Sequence, residues 1–199
     1  MAEIGRRLVH ASGVIFPGIY LLELTTWTQL GWLLVLGSLI AVGLEVLRLG
    51  ARVEWWIYDR LIREYEADSV AGYAYYMWSI TLVAWAFEPS VAIPGMLMLM
   101  LGDPVSGVVH QDGESGVKQW PSLLAMFVVC LVVAIPFATQ LLPSIWWGIG
   151  AASLAAIPAT AADAYLLRIG DRIIDDNLTI PIAGALGLWI GVTLFASLL

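Results

Sequence analysis

Two adjacent carboxylates and an amide stand in the run Asp171-Arg172-Ile173-Ile174-Asp175-Asp176-Asn177-Leu178-Thr179-Ile180-Pro181. They offer hard oxygen ligands of the kind magnesium takes. They also suit helix capping, with Asp176 or Asn177 as N-cap of a last helix, and both uses can hold at once. Asp163 lies about three turns upstream of Asp175 and can point into the same place. Gly102-Asp103-Pro104 interrupts an apolar run and predicts a helix restart, with Asp103 as N-cap and Pro104 as the first helical residue. The new helix would carry Asp103, Ser106, Gly107 and His110 on one face. A helix N-terminus binds phosphate through its free N–H groups and its dipole. An aspartate there repels phosphate unless a divalent metal stands between them. The plain alternative is a capped kink without a ligand.

Weaker signals surround these. The segment 110–118 holds Asp112, Gly113, Glu114, Gly116 and Lys118. A glycine-rich loop ending in lysine can wrap the phosphates of a nucleotide, but a solvated turn has the same composition, and this is no Walker motif. Glu45 is followed three residues on by Arg48, at the spacing of a helical ion pair. Arg6 and Arg7 precede His10 and Ser12. Guanidinium groups there clamp phosphate or simply anchor the chain at a membrane face. The single cysteine, Cys130, lies in an apolar run and reads as a small hydrophobe.

The elements that must position these residues are apolar. Of 199 residues, 60% are hydrophobic and only 13% charged, and mean hydropathy is +0.86. A soluble domain has about twice that share of charge. The pattern predicts an all-α, polytopic integral membrane protein of one domain. Seven spans are expected near 11–24, 30–47, 70–87, 90–110, 122–142, 144–167 and 178–198. No cleavable signal stands out, and the first span reads as retained. In this arrangement all nine Lys and Arg residues fall on one side. That side is cytoplasmic by the positive-inside rule, which puts the N-terminus in and the C-terminus out, in the cell membrane. Trp27, Trp32, Trp146 and Trp147 fall near the opposite interface. The polar segment 52–68 reads as a helix on the cytoplasmic surface or a plain connector. A net charge of −7 without a basic patch argues against nucleic acid.

The ionisable residues Glu45, Asp103, His110 and Asp163 all fall toward the cytoplasmic side. A transporter tends to hold its polar residues near the bilayer midplane. An enzyme joining a water-soluble donor to a lipid needs them at one interface.

Five motifs, in order along nearly the whole chain, resemble the dolichol kinase and phytol kinase family, which includes a CTP-dependent diacylglycerol kinase. They are Arg6-Arg7-Leu8-Val9-His10, Glu45-Val46-Leu47-Arg48, Leu101-Gly102-Asp103, Gly116-Val117-Lys118 and Asp175-Asp176-Asn177-Leu178-Thr179-Ile180-Pro181. Two stretches depart from the family pattern. Asp103-Pro104-Val105-Ser106-Gly107-Val108-Val109-His110 lacks its Ala and last Gly, and Lys118-Gln119-Trp120-Pro121-Ser122 lacks its Glu, a carboxylate that Asp112 or Glu114 would have to supply.

The resemblance implies CTP-dependent phosphorylation of a membrane lipid alcohol, dolichol or polyprenol first, with magnesium. It implies Asp103, Asp176 and Lys118 as the catalytic set. The residues themselves, rather than the resemblance, put Asp103, Asp163, Asp175 and Asp176 forward to hold metal. On the residues themselves, Arg6, Arg7 and Lys118 would neutralise phosphate, and Gly102, Ser106, Gly107, Gly116 and Asn177 would complete the nucleotide site. The rival readings are a CDP-lipid-forming cytidylyltransferase, a small transporter and a non-catalytic scaffold.

Overall fold

A computed structural model describes residues 2–53, 55, 58, 62, 66–109, 118–165, 167–169 and 172–198. The expected helix over 52–68 therefore lies largely outside the described residues, as do His110, Asp112, Glu114, Gly116 and Asp171. Among the described residues the fold is helical apart from one small hairpin. Helix α1 is Ala2–Ser12 and α2 is Ile15–Leu21. Helix α3, Trp27–Glu45, runs on through a π-helical turn, Val46–Gly50. Helix α4 is Gly72–Ala86. Helix α5, Pro89–Leu97, continues through a π turn, Met98–Gly102, into α6, Asp103–Val109. Helices α7, Trp120–Leu141, and α8, Ile145–Ala164, follow. Strands β1, Leu167–Ile169, and β2, Arg172–Ile174, pair antiparallel, with Arg168 opposite Ile173. Helix α9, Asp176–Ala196, comes last.

Among the described residues, five helical stretches are long and apolar enough to cross a membrane: Trp27–Gly50, Pro89–Val109, Trp120–Leu141, Ile145–Ala164 and Asp176–Ala196. The other two expected spans are helical but shorter. The first divides into α1 and α2 at Gly13, where a side chain would begin only 1.6 Å from the Tyr76 hydroxyl. The third, α4, has 15 residues, against about 20 for a full crossing. The sixth ends at Ala164, and Leu167 belongs to the hairpin.

Two local expectations are corrected. Asp103 is not an N-cap. Its backbone is helical (φ −61°, ψ −46°), so the chain does not restart there. Pro104 offers no N–H to the turn before it, and the wider π turn absorbs that defect without a break. The N-cap of the last helix is Asp175 rather than Asp176 or Asn177. Its carboxylate accepts the N–H of Asn177 at 3.0 Å.

Packing between helices relies on small residues, because lipid tails give no hydrophobic drive for one helix to join another. Helix α8 presents Ala151, Ala155 and Ala159, all fully buried, and α9 lies against this face with Gly184, Gly187 and Gly191. A Cβ on Gly187 would stand 2.2 Å from the carbonyl oxygen of Leu154. That carbonyl lacks its usual helical donor, because the residue four positions on is Pro158. The close backbone of Gly187 covers it. Large side chains such as Leu33, Leu36, Leu39, Ile40, Val128 and Val132 point outward, as lipid-facing residues do.

Candidate functional site

The ends of α5–α6, α8 and α9 meet at one pole of the bundle. Asp103 opens α6, Asp163 closes α8 and Asp176 opens α9. One carboxylate oxygen from each lies within 4.8 Å of the other two. Asp163 is buried completely, while 17% of the Asp103 side chain remains exposed. The group is thus a recess with one open edge.

Lys118, just ahead of α7, reaches into this recess. Its ammonium donates to Asp163 Oδ1 at 2.6 Å, to Asp103 Oδ1 at 3.4 Å and to Ser106 Oγ at 3.3 Å. Burial opposes the charge on Lys118. The nearby Asp103, Asp163 and Asp176 carboxylates and the hydrogen bond to Asp163 outweigh it and hold the amine above the ordinary lysine range. Ser106 donates to Asp163 Oδ2 at 2.7 Å and meets the Ser122 hydroxyl at 2.8 Å. Ser122 also donates to the Ser106 carbonyl at 2.8 Å. The two serines therefore fix α6 against α7 and aim Asp163 at Lys118.

The N-terminal helix closes another side. His10 Nδ1 is 3.6 Å from Asp103 Oδ2, and the Tyr76 ring stands edge-on to the imidazole. The Arg7 guanidinium lies over Gly107, where a Cβ would be 3.2 Å from Nε. Gly107 thus makes room for a cation beside the acids. Gly102 has a packing role as well, since a Cβ there would stand 2.6 Å from Met126 Sδ.

Oxygen ligands on opposite sides of magnesium stand about 4.2 Å apart, and those of calcium about 5 Å. The three carboxylates fit a hard divalent ion with little adjustment. Asp103, Asp163 and Asp176 are the residues to hold one. Asp175, expected among them, is occupied as the cap of α9 and lies on the side of Gly72. Asn177 sits there too, its Nδ2 2.8 Å from where a Gly72 Cβ would be, and its buried Oδ1 has no hydrogen-bond partner among the described residues. Of the other expected residues, Gly116 is outside the described residues, and for Arg6 only the backbone is described.

Glu45 and Arg48 form the expected ion pair, buried and 2.6 Å long. The pair also ties a connector down. Arg48 donates to the carbonyls of Glu66 and Ala67, and Glu45 accepts from Ala71 N–H and the Tyr73 hydroxyl. Sequence reasoning did not place Ser122 or Glu66 at the site end. Ser122 carried a signal, as a polar residue four positions after Lys118 at the start of an apolar run. Glu66, fully within the polar connector, carried none.

No family model, curated protein or solved structure matches the chain.

Proposed function

We propose that the protein is a CTP-dependent kinase of a membrane lipid alcohol, a polyprenol or dolichol, working at the cytoplasmic face of the cell membrane. The observation that carries this reading is the meeting of Asp103, Asp163, Asp176 and Lys118, from four separate segments, at one pole of an apolar helix bundle. All seven expected spans cross in this reading, the N-terminus lies inside, and the acids stand where a lipid hydroxyl and a water-soluble donor can meet. The order of five family-like motifs supports the choice of donor and acceptor.

Phosphoryl transfer depends chiefly on positioning and on charge stabilisation. The lipid hydroxyl oxygen attacks the γ-phosphorus, the bond from that phosphorus to the β-bridging oxygen breaks, and CDP leaves. Asp103 is the most exposed of the three acids and takes the hydroxyl proton. Lys118 and Arg7 face the phosphates and offset their charge. Magnesium, held by the three acids, would supply further charge neutralisation at the phosphate oxygens.

The decisive experiment incubates purified protein with CTP or ATP and a panel of lipid alcohols and reads lipid phosphate. Asp103→Asn should lose at least about a hundredfold in rate, as general-base catalysis contributes 10²–10⁴-fold, while inserting normally. Full activity in that variant removes the assignment. Label from the γ-phosphate of CTP should enter the lipid. Label entering from the α-phosphate instead identifies a cytidylyltransferase.

A further inference from the structure

Helix α9 carries Asp176 in its first turn, and something must hold that turn against the other acids. The sequence supplies an opening. In an α-helix the carbonyl of residue 177 accepts from the N–H of residue 181. Here that residue is Pro181, which has no N–H. The Asn177 carbonyl is therefore left without its helical donor, and Asn177 itself is buried. The fully buried Ser79 of α4 takes the place. Its hydroxyl lies 2.7 Å from the Asn177 oxygen and 3.0 Å from the Tyr76 carbonyl of its own helix. The shorter contact is the one that crosses between helices.

The same turn is fitted to α4 at a second point. Gly72, the first residue of α4, has no side chain, and Asn177 Nδ2 and Asp175 Oδ1 occupy the space a Cβ would crowd, at 2.8 and 3.6 Å. The Gly72 N–H donates to Glu66 Oε1 at 3.0 Å. Helix α4 thus meets the start of α9 at Gly72 and again at Ser79, two turns deeper.

The geometry points to Ser79 as a positioning residue: its hydrogen bond to the carbonyl that Pro181 frees pins the first turn of α9 and so places Asp176 beside Asp103 and Asp163. The proline is then no mere kink. It creates the acceptor on which α4 docks, and this gives the Asn177-to-Pro181 spacing a physical purpose. The inference rests on the kinase reading for the role of Asp176, and on the observed contact for the pin itself.

The test uses the full chain in lipid nanodiscs, with Mn²⁺ as the probe ion and deuterium uptake of the peptide 175–183 as a second readout. Ser79→Ala should weaken Mn²⁺ binding about tenfold, the scale of one lost hydrogen bond at a buried carbonyl, and speed exchange in that peptide. Ser79→Thr keeps the hydroxyl and should restore both, while Ser79→Val, of the same shape, should not. Pro181→Ala returns an N–H to α9, so Ser79→Ala should cost little in that background. Wild-type behaviour in Ser79→Ala, equal behaviour of the Thr and Val variants, or an undiminished cost alongside Pro181→Ala would each overturn the pin. A wild-type protein that binds Mn²⁺ but makes no lipid phosphate overturns the kinase reading and leaves the pin standing. One that binds no Mn²⁺ overturns the metal role of the acids, and the exchange arm then decides the pin alone.

Discussion

The ammonium of Lys118 and a divalent ion would compete for the same oxygens, since Lys118 already takes Asp163 Oδ1 at 2.6 Å and Asp103 Oδ1 at 3.4 Å. Removing the amine leaves buried carboxylates uncompensated, which is costly in a medium of low polarity. Lys118→Met keeps the length of the side chain and loses the charge. It should lower stability by about 3 kcal/mol, the scale for breaking a buried ion pair, in the absence of divalent ions. Adding Mg²⁺ should return most of that loss, measured as a thermal midpoint with and without the ion. An equal deficit in both conditions would show that the acids do not hold the metal. The pH dependence follows from the direction of the amine's shift. Lys118 titrates higher in the folded protein than in the unfolded chain. Its contribution is therefore complete below the ordinary lysine value of about 10.4 and is lost as pH rises through the higher folded value. The gap between wild type and Lys118→Met should stay constant from pH 7 to about 10 and close only above that.

Helices in this chain meet where side chains are missing. Among the described glycines Gly187 comes closest to another backbone, with the Leu154 carbonyl 2.2 Å and the Ala155 Cα 2.9 Å from a would-be Cβ. Both neighbours are backbone, so neither can turn aside. Gly187→Ala should force α8 and α9 apart and cost about 2 kcal/mol or more, within the range for overpacking a core. Gly43→Ala is the control, because no atom lies within 4 Å of its Cβ position. There the better helix propensity of alanine should stabilise by up to about 1 kcal/mol. Reversible unfolding in mixed micelles measures both, and equal effects would remove the packing argument. Such contacts are not legible in sequence, because glycine in an apolar run reads only as tolerated. Charge at the ends of apolar runs is legible. Glu45 and Arg48 at helical spacing announced their pair, and the acids at 103, 163 and 176 announced a shared pole through their placement alone. The continuity of α5 into α6 was hidden. Gly-Asp-Pro ordinarily ends a helix, and only the π turn over Met98–Gly102 lets this one continue. The contacts of His10 with Asp103 and of Ser122 with Ser106 join residues far apart in the chain, so spacing could not reveal them.

At the scale of the whole molecule, the two poles differ in kind. One holds Asp103, Lys118, Asp163 and Asp176. The other holds a cleft of about 520 Å³ walled by Trp27, Trp85, Phe87 and Trp189, with Glu88 among its few polar residues. Aromatic side chains favour the membrane–water boundary, and cations favour the cytoplasmic side. The acid-rich pole should therefore face the cytoplasm, where the proposed nucleotide donor would be drawn from. The chain lends itself to a labelling test, since its single cysteine, Cys130, is fully buried and should stay silent. Gln119→Cys marks the acid-rich pole and Thr28→Cys the tryptophan-lined one, both at exposed positions. A membrane-impermeant maleimide added to intact cells should modify Thr28→Cys and spare Gln119→Cys until the cells are opened. The reverse pattern would put the acids outside, away from any cytosolic nucleotide, and a kinase drawing on that pool could not work from there. Labelling of both positions in intact cells would place the two poles on the same side, and the bundle would then not span the bilayer along the axis that joins them.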